Sequence, residues 1–160
     1  MNIVHALFVP NGTISKSGFL IAALVLIAVG VVSDWVSFAM PSLAPVFFFI
    51  GLVAAYCWVA LWIKRFHAAG TSGWWTILVA FVWLIVEMIV GFAVIAASGL
   101  DMSVFASGDS EAIQAAMEPA VEAAAVPAMI ASVVVSLVIA LGLNAILPEG
   151  RWRADEESAA

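Results

Sequence analysis

The residues able to do chemistry in this sequence are few, and they gather in two places. Glu87 interrupts a long apolar run, about 20 Å along a helix that starts at Trp74. An acid at that depth in a membrane is costly and marks a functional-site hypothesis by default. Asp34 falls at a comparable level in another apolar run, nearer the far interface. No base occurs at that depth, so Glu87 is expected to bond Ser132 or Ser136 or to meet a partner protein. Together, Glu87 and Asp34 would be the members of a proton or cation pathway.

The second place is the turn Lys64-Arg65-Phe66-His67-Ala68-Ala69-Gly70-Thr71-Ser72-Gly73-Trp74-Trp75. Lys64 and Arg65 close one helix, where cations complement the helix dipole. Gly70 and Gly73 suit a tight turn, and Thr71 or Ser72 can cap the next helix. A helix N-terminus beside bases can also hold an anion. Lys64, Arg65, His67 and Ser72 are therefore the candidates for binding a lipid headgroup or another anion.

From Ile63 to His67 and from Gly70 to Trp75, this turn resembles the signature of the domain-of-unknown-function 805 family. That pattern runs Arg-Arg-Leu-His-Asp-x-Gly-x-Ser-Gly-Trp-Trp. Here Lys64 stands for the first Arg, Phe66 for the Leu and Ala68 for the Asp. Asn11-Gly12-Thr13-Ile14-Ser15-Lys16 is similar to the family's Gly-Arg-x-Ser-Arg element, with Thr13 and Lys16 in place of both arginines. The resemblance implies a small bacterial inner-membrane protein of about four spans. It implies no particular activity.

Other chemistries find no footing. The chain has no His-Glu-x-x-His, no Gly-x-Ser-x-Gly and no phosphate-cradling Gly-rich loop with Lys. Cys57 is the lone cysteine, which excludes a disulfide scaffold. Two histidines, His5 and His67, do not make a metal or haem site, so no metal and no cofactor is expected. Eleven acids against five bases give a net charge of −6, which argues against nucleic acid as a partner.

The elements that position these residues follow from composition. The 160 residues are 66% hydrophobic and only 10% charged, with a mean hydropathy of +1.19. Soluble domains carry about 25% charged residues, so this chain is a membrane protein. A membrane-spanning helix needs roughly 20 apolar residues. Four segments qualify: residues 18–40, 45–63, 74–97 and 126–147. They are solid apolar runs and lack the alternation of a membrane barrel. The fold class is all-α, a polytopic bundle of four transmembrane helices with short interfacial helices, forming one domain over residues 1–160.

Charge sets the orientation. With four spans, the N-terminus, the 64–73 turn and the 148–160 tail share one side. All five bases, Lys16, Lys64, Arg65, Arg151 and Arg153, lie there. The 98–125 loop opposite holds Asp101, Asp109, Glu111, Glu118 and Glu122 with no base. By the positive-inside rule both termini are cytoplasmic. Trp62, Trp74, Trp75 and Trp152 would mark that interface, and Trp35 the other. A brief interfacial helix is expected over residues 1–9. No secretory cleavage site or lipidation motif is evident.

Two segments could meet partners. From Asp109 onward, Ile113, Met117 and Val121 recur every four residues, with Glu111, Glu118 and Glu122 on another face. This predicts an amphipathic helix capped by Asp109 or Ser110 and bent or ended near Pro119. In the fourth span, Ala128, Ser132, Ser136, Ala140 and Asn144 are small or polar at a strict spacing of four. Such a ridge lets another helix approach closely, within the chain or from a partner. These features predict a non-enzymatic accessory or scaffolding component of a larger inner-membrane assembly. Its partners would be other membrane-protein subunits and lipids. The alternatives are a small transporter using Glu87 and Asp34, or lipid or anion binding at the 64–75 turn.

Overall fold

The computed structural model describes residues 7–8, 12–101 and 103–149. The expected 1–9 helix, His5, Asn11 and the tail bearing Arg151, Trp152 and Arg153 lie largely or wholly outside the described residues. The described chain is all-α. Four of its helices are long and apolar enough to cross a membrane. They are α1 (Lys16–Ala39), α2 (Ala44–Ala68), α3 (Trp75–Ala97) and α5 (Ser110–Ile146), with a short α4 (Val104–Ser107) before the last.

Local signals explain most boundaries. Ser15 caps α1, its hydroxyl accepting the Gly18 N–H at 3.2 Å. Pro41 starts a single 3₁₀ turn, Pro41–Leu43, and Pro45 sits in the first turn of α2, where a missing N–H costs nothing. Asp109 caps α5, with Oδ1 accepting from the N–H groups of Glu111 and Ala112 at 3.0 and 3.4 Å. Helix α2 runs five residues past the expected end at 63, closing at Ala68.

The last helix departs most from expectation. In place of a loop helix bent or ended near Pro119 and a separate span, α5 is one helix of 37 residues with Pro119 and Pro127 inside it. Alanine-rich neighbours of high helix propensity flank both prolines. Each proline removes one hydrogen bond from the ladder without stopping the helix.

The helices pair in a ring, α1 with α2, α2 with α3, α3 with α5, and α5 with α1. Burial concentrates toward the end that holds Lys16, Lys64 and Arg65, which we term the basic end. Phe19, Ala22, Ala23 and Leu26 of α1 meet Cys57, Leu61, Trp62 and Phe66 of α2 and Ala140 of α5 there. The Phe19 and Trp62 rings meet at a 58° tilt with centroids 4.6 Å apart, and Trp62 meets Phe66 at 5.8 Å. Leu7 also joins this core. Large apolar side chains such as Phe48, Phe49, Phe81, Met88 and Phe92 are exposed instead. For a helix in lipid that exposure carries no hydrophobic penalty, because acyl chains are as apolar as leucine.

Candidate functional site

Helices α2 and α5 both finish at the basic end, so two sets of orphan carbonyls and two negative dipole ends meet there. The α5 end is answered by side chains from other helices, and the α2 end by its own following turn. Arg65 is fully buried, at 0% exposure. Its Nε donates to Asn144 Oδ1 at 2.6 Å, and Nη2 donates to the Leu147 carbonyl at 2.7 Å. Longer contacts reach the Asn144 carbonyl at 3.4 Å and the Pro148 carbonyl at 3.3 Å. Asn144, also buried, turns its Nδ2 to the Lys16 carbonyl at 3.3 Å, and Lys16 Nζ donates to the Ala145 carbonyl at 3.3 Å. Three helices are thereby tied through one guanidinium and one amide.

This changes the reading of the 64–75 turn. Of its four anion-binding candidates, Arg65 spends its donors on α5, so it is turned away from any headgroup. Lys64 is 2% exposed, while His67 and Ser72 are exposed. The turn has its own internal order. Thr71 N–H bonds the Phe66 carbonyl at 3.0 Å and Gly70 N–H the His67 carbonyl at 2.9 Å. This paired cap needs a left-handed residue, and Gly70 supplies it at φ +74°. Gly73 is favoured for a different reason. A Cβ there would lie 3.0 Å from His67 Nε2 and 3.1 Å from Ile63 Cγ2, so any larger residue would push these two side chains back by a few tenths of an ångström. Ser72 Oγ accepts the Trp74 N–H at 3.3 Å. The Gly-Thr-Ser-Gly run is thus accounted for by turn geometry.

The intramembrane acid is also held within the chain. Ser132 Oγ donates to Glu87 Oε1 at 3.0 Å, across the α3–α5 contact. One turn away along α5, Ser136 Oγ accepts from Trp83 Nε1 at 3.4 Å. Asp34 is exposed on α1, whose neighbours in the ring are α2 and α5, whereas Glu87 sits on α3. The structure therefore does not bring the two acids together.

The ridge on α5 faces inward along much of its length. Ser132 and Ser136 meet α3, Ala140 is in the core, and Asn144 takes Arg65. Ala128 is half-buried. The same spacing continues outward through Ala124 and Ala120, both buried, which the sequence reading did not include. Ile113 and Met117 are half-buried, but Val121 is 45% exposed. Small residues rather than the large apolar ones therefore carry the inward line there. Stepping back by four from Ala128 would have found it. Glu111, Glu118 and Glu122 are exposed.

Among the described residues, no group of three or more His, Cys, Asp or Glu side chains could hold a metal ion. No protein family, curated protein or solved structure matches the chain.

Proposed function

We propose that this protein is a non-enzymatic accessory or scaffolding component of a larger assembly in a bacterial inner membrane, with both termini cytoplasmic. The observation that carries this reading is the length of α5. Thirty-seven residues make a rod of about 55 Å, against a hydrocarbon core of about 30 Å. The stretch from Pro127 to Ile146 alone spans about 30 Å. The turns before Pro127 therefore stand beyond the core as a continuous helical shaft. Glu111, Glu118 and Glu122 lie on one side of it, at helical spacing, and all are exposed. A helix that presents a charged face beyond the membrane, continuous with the bundle, is suited to holding another subunit. Lys16, Lys64 and Arg65, the bases among the described residues, lie at the opposite end, which supports the orientation. The resemblance of the 63–75 segment to a bacterial inner-membrane family supports the compartment.

The test is purification from native membranes in mild detergent followed by mass measurement. A stoichiometric second subunit is expected, and the double variant Glu118→Lys/Glu122→Lys should lose it while keeping full helicity. A chain that runs alone or only with copies of itself would overturn the proposal. Cysteine labelling in intact cells tests the orientation, since native Cys57 is buried. Ser110→Cys should react with an impermeant reagent and Ala69→Cys should not; the reverse pattern would reverse the topology.

A further inference from the structure

Helices α2 and α3 are antiparallel neighbours joined by a short turn, yet they touch least of the four adjacent pairs. Between them lies a cleft of about 180 Å³ with α5 as its floor. Its walls are Ala55, Trp58 and Trp62 from α2 and Thr76, Ala80 and Trp83 from α3, and Ser136 lies on the floor. From Thr76 to Trp83 the cleft runs about 10 Å along the helix axes. It is lined almost wholly by apolar atoms. Ala55 and Ala80 are exposed, so the cleft opens sideways to lipid.

One observation singles out its mouth. Thr76 is 4% exposed, and its Oγ1 has no hydrogen-bond partner among the described residues. A buried hydroxyl without a partner is costly and usually satisfied. Thr76 directly follows Trp74 and Trp75, which are 78% and 54% exposed. Exposed tryptophans settle at the headgroup level of a bilayer, which puts Thr76 at the boundary between headgroups and acyl chains. The groups found there are the ester carbonyls of phospholipids, which only accept hydrogen bonds. A cleft parallel to the helices, running inward from that boundary, has the direction of an acyl chain.

We propose that the α2–α3 cleft is a binding site for one phospholipid of the basic-end leaflet. One acyl chain lies between Trp58 and Trp83, and its ester carbonyl accepts a hydrogen bond from Thr76 Oγ1. The site is independent of the scaffolding role. It rests on wall residues that the α5 shaft does not use.

Native mass spectrometry of the delipidated full chain, titrated with a diacyl phosphatidylglycerol, tests this. One lipid per chain should be retained at low ratios. Ala80→Phe and Ala55→Phe fill the cleft from opposite walls, and both positions face lipid, so neither substitution displaces a core contact. Each should abolish the retained lipid with helicity unchanged. The dialkyl ether analogue lacks the carbonyl and should bind about fivefold more weakly, the effect of one lost hydrogen bond. Thr76→Val should weaken the ester lipid by the same factor and erase the ester–ether difference. Retention unchanged in both Phe variants overturns the site. An ester preference that survives Thr76→Val overturns the hydrogen bond. Should the Phe variants not fold, equal affinity of the unaltered protein for ester and ether lipids overturns the proposal by itself.

Discussion

Replacing Arg65 with Met removes the guanidinium while keeping an unbranched side chain of similar reach. Two of its four contacts are short, to Asn144 Oδ1 at 2.6 Å and to the Leu147 carbonyl at 2.7 Å. The other two, at 3.3 and 3.4 Å, are long and add little. Hydrogen bonds from a charged donor contribute about 1.5–3 kcal/mol each, so the two short ones, taken at the lower end of that range, set a loss of at least about 3 kcal/mol. For a chain of this length that corresponds to a fall in Tm of roughly 6–12 °C. The assay is thermal unfolding in a fixed detergent, followed by helicity and by tryptophan fluorescence. Arg65→Lys should fall between, since an ammonium cannot reach an amide and a carbonyl with the same fork. Asn144→Ala should approach Arg65→Met, and the double variant should cost little more than either single one. A Tm for Arg65→Met within about 2 °C of the unaltered protein would refute the capping argument.

Further expectations concern the ridge, the intramembrane acid and the acidic end. Ala140 is 2% exposed and Val138 is 63% exposed, so Ala140→Leu should cost about 1–3 kcal/mol by overpacking while Val138→Leu leaves detergent stability unchanged. Glu87→Gln keeps an oxygen that accepts from Ser132 and should leave assembly and stability intact, whereas Glu87→Leu should lose about 1 kcal/mol. A function abolished by Gln in a folded protein would favour ion translocation. Asp101, in the loop after α3, titrates below the usual carboxylate range because the Ser103 side chain and backbone bond its ionised form. That contact therefore helps order the loop above the ordinary carboxylate pKa and is lost as pH falls through the depressed midpoint. Ser103→Ala should raise the Asp101 midpoint in an NMR titration, and an unmoved midpoint would reject that cause.

Membrane sequences are legible where the solvent dictates the pattern. Four apolar runs of bilayer length yield four helices because lipid permits no other way of satisfying the backbone in such runs. The spacing of Ser132, Ser136, Ala140 and Asn144 showed the inward line because small residues alone let helices approach. The extent of α5 was hidden because Pro119 and Pro127 look like stops. Their cost is a missing bond apiece, which the alanines around them outweigh. Arg65 was misplaced for another reason. Near the end of its own helix a cation already has an explanation in the dipole, and nothing local shows that a second helix ends beside it. The even number of spans held the missing clue, since α2 and α5 must then finish on one side. A buried arginine and an asparagine at those two ends were the natural pair. The α2–α3 cleft left no such trace, because tryptophan and alanine at helical spacing read equally as core or as lipid-facing surface.

The order of synthesis gives the Arg65–Asn144 bond a meaning for biogenesis. The two residues are 79 positions apart. Three of the four helices are therefore made before the guanidinium has its acceptors. Throughout that interval the Arg65 guanidinium lacks its Asn144 and Leu147 acceptors, and the wall of α1 that α5 covers is still open. The final helix acts as a closing latch. A chain ending short of residue 144 lacks both short-range acceptors of the Arg65 guanidinium, and only the complete bundle supplies them.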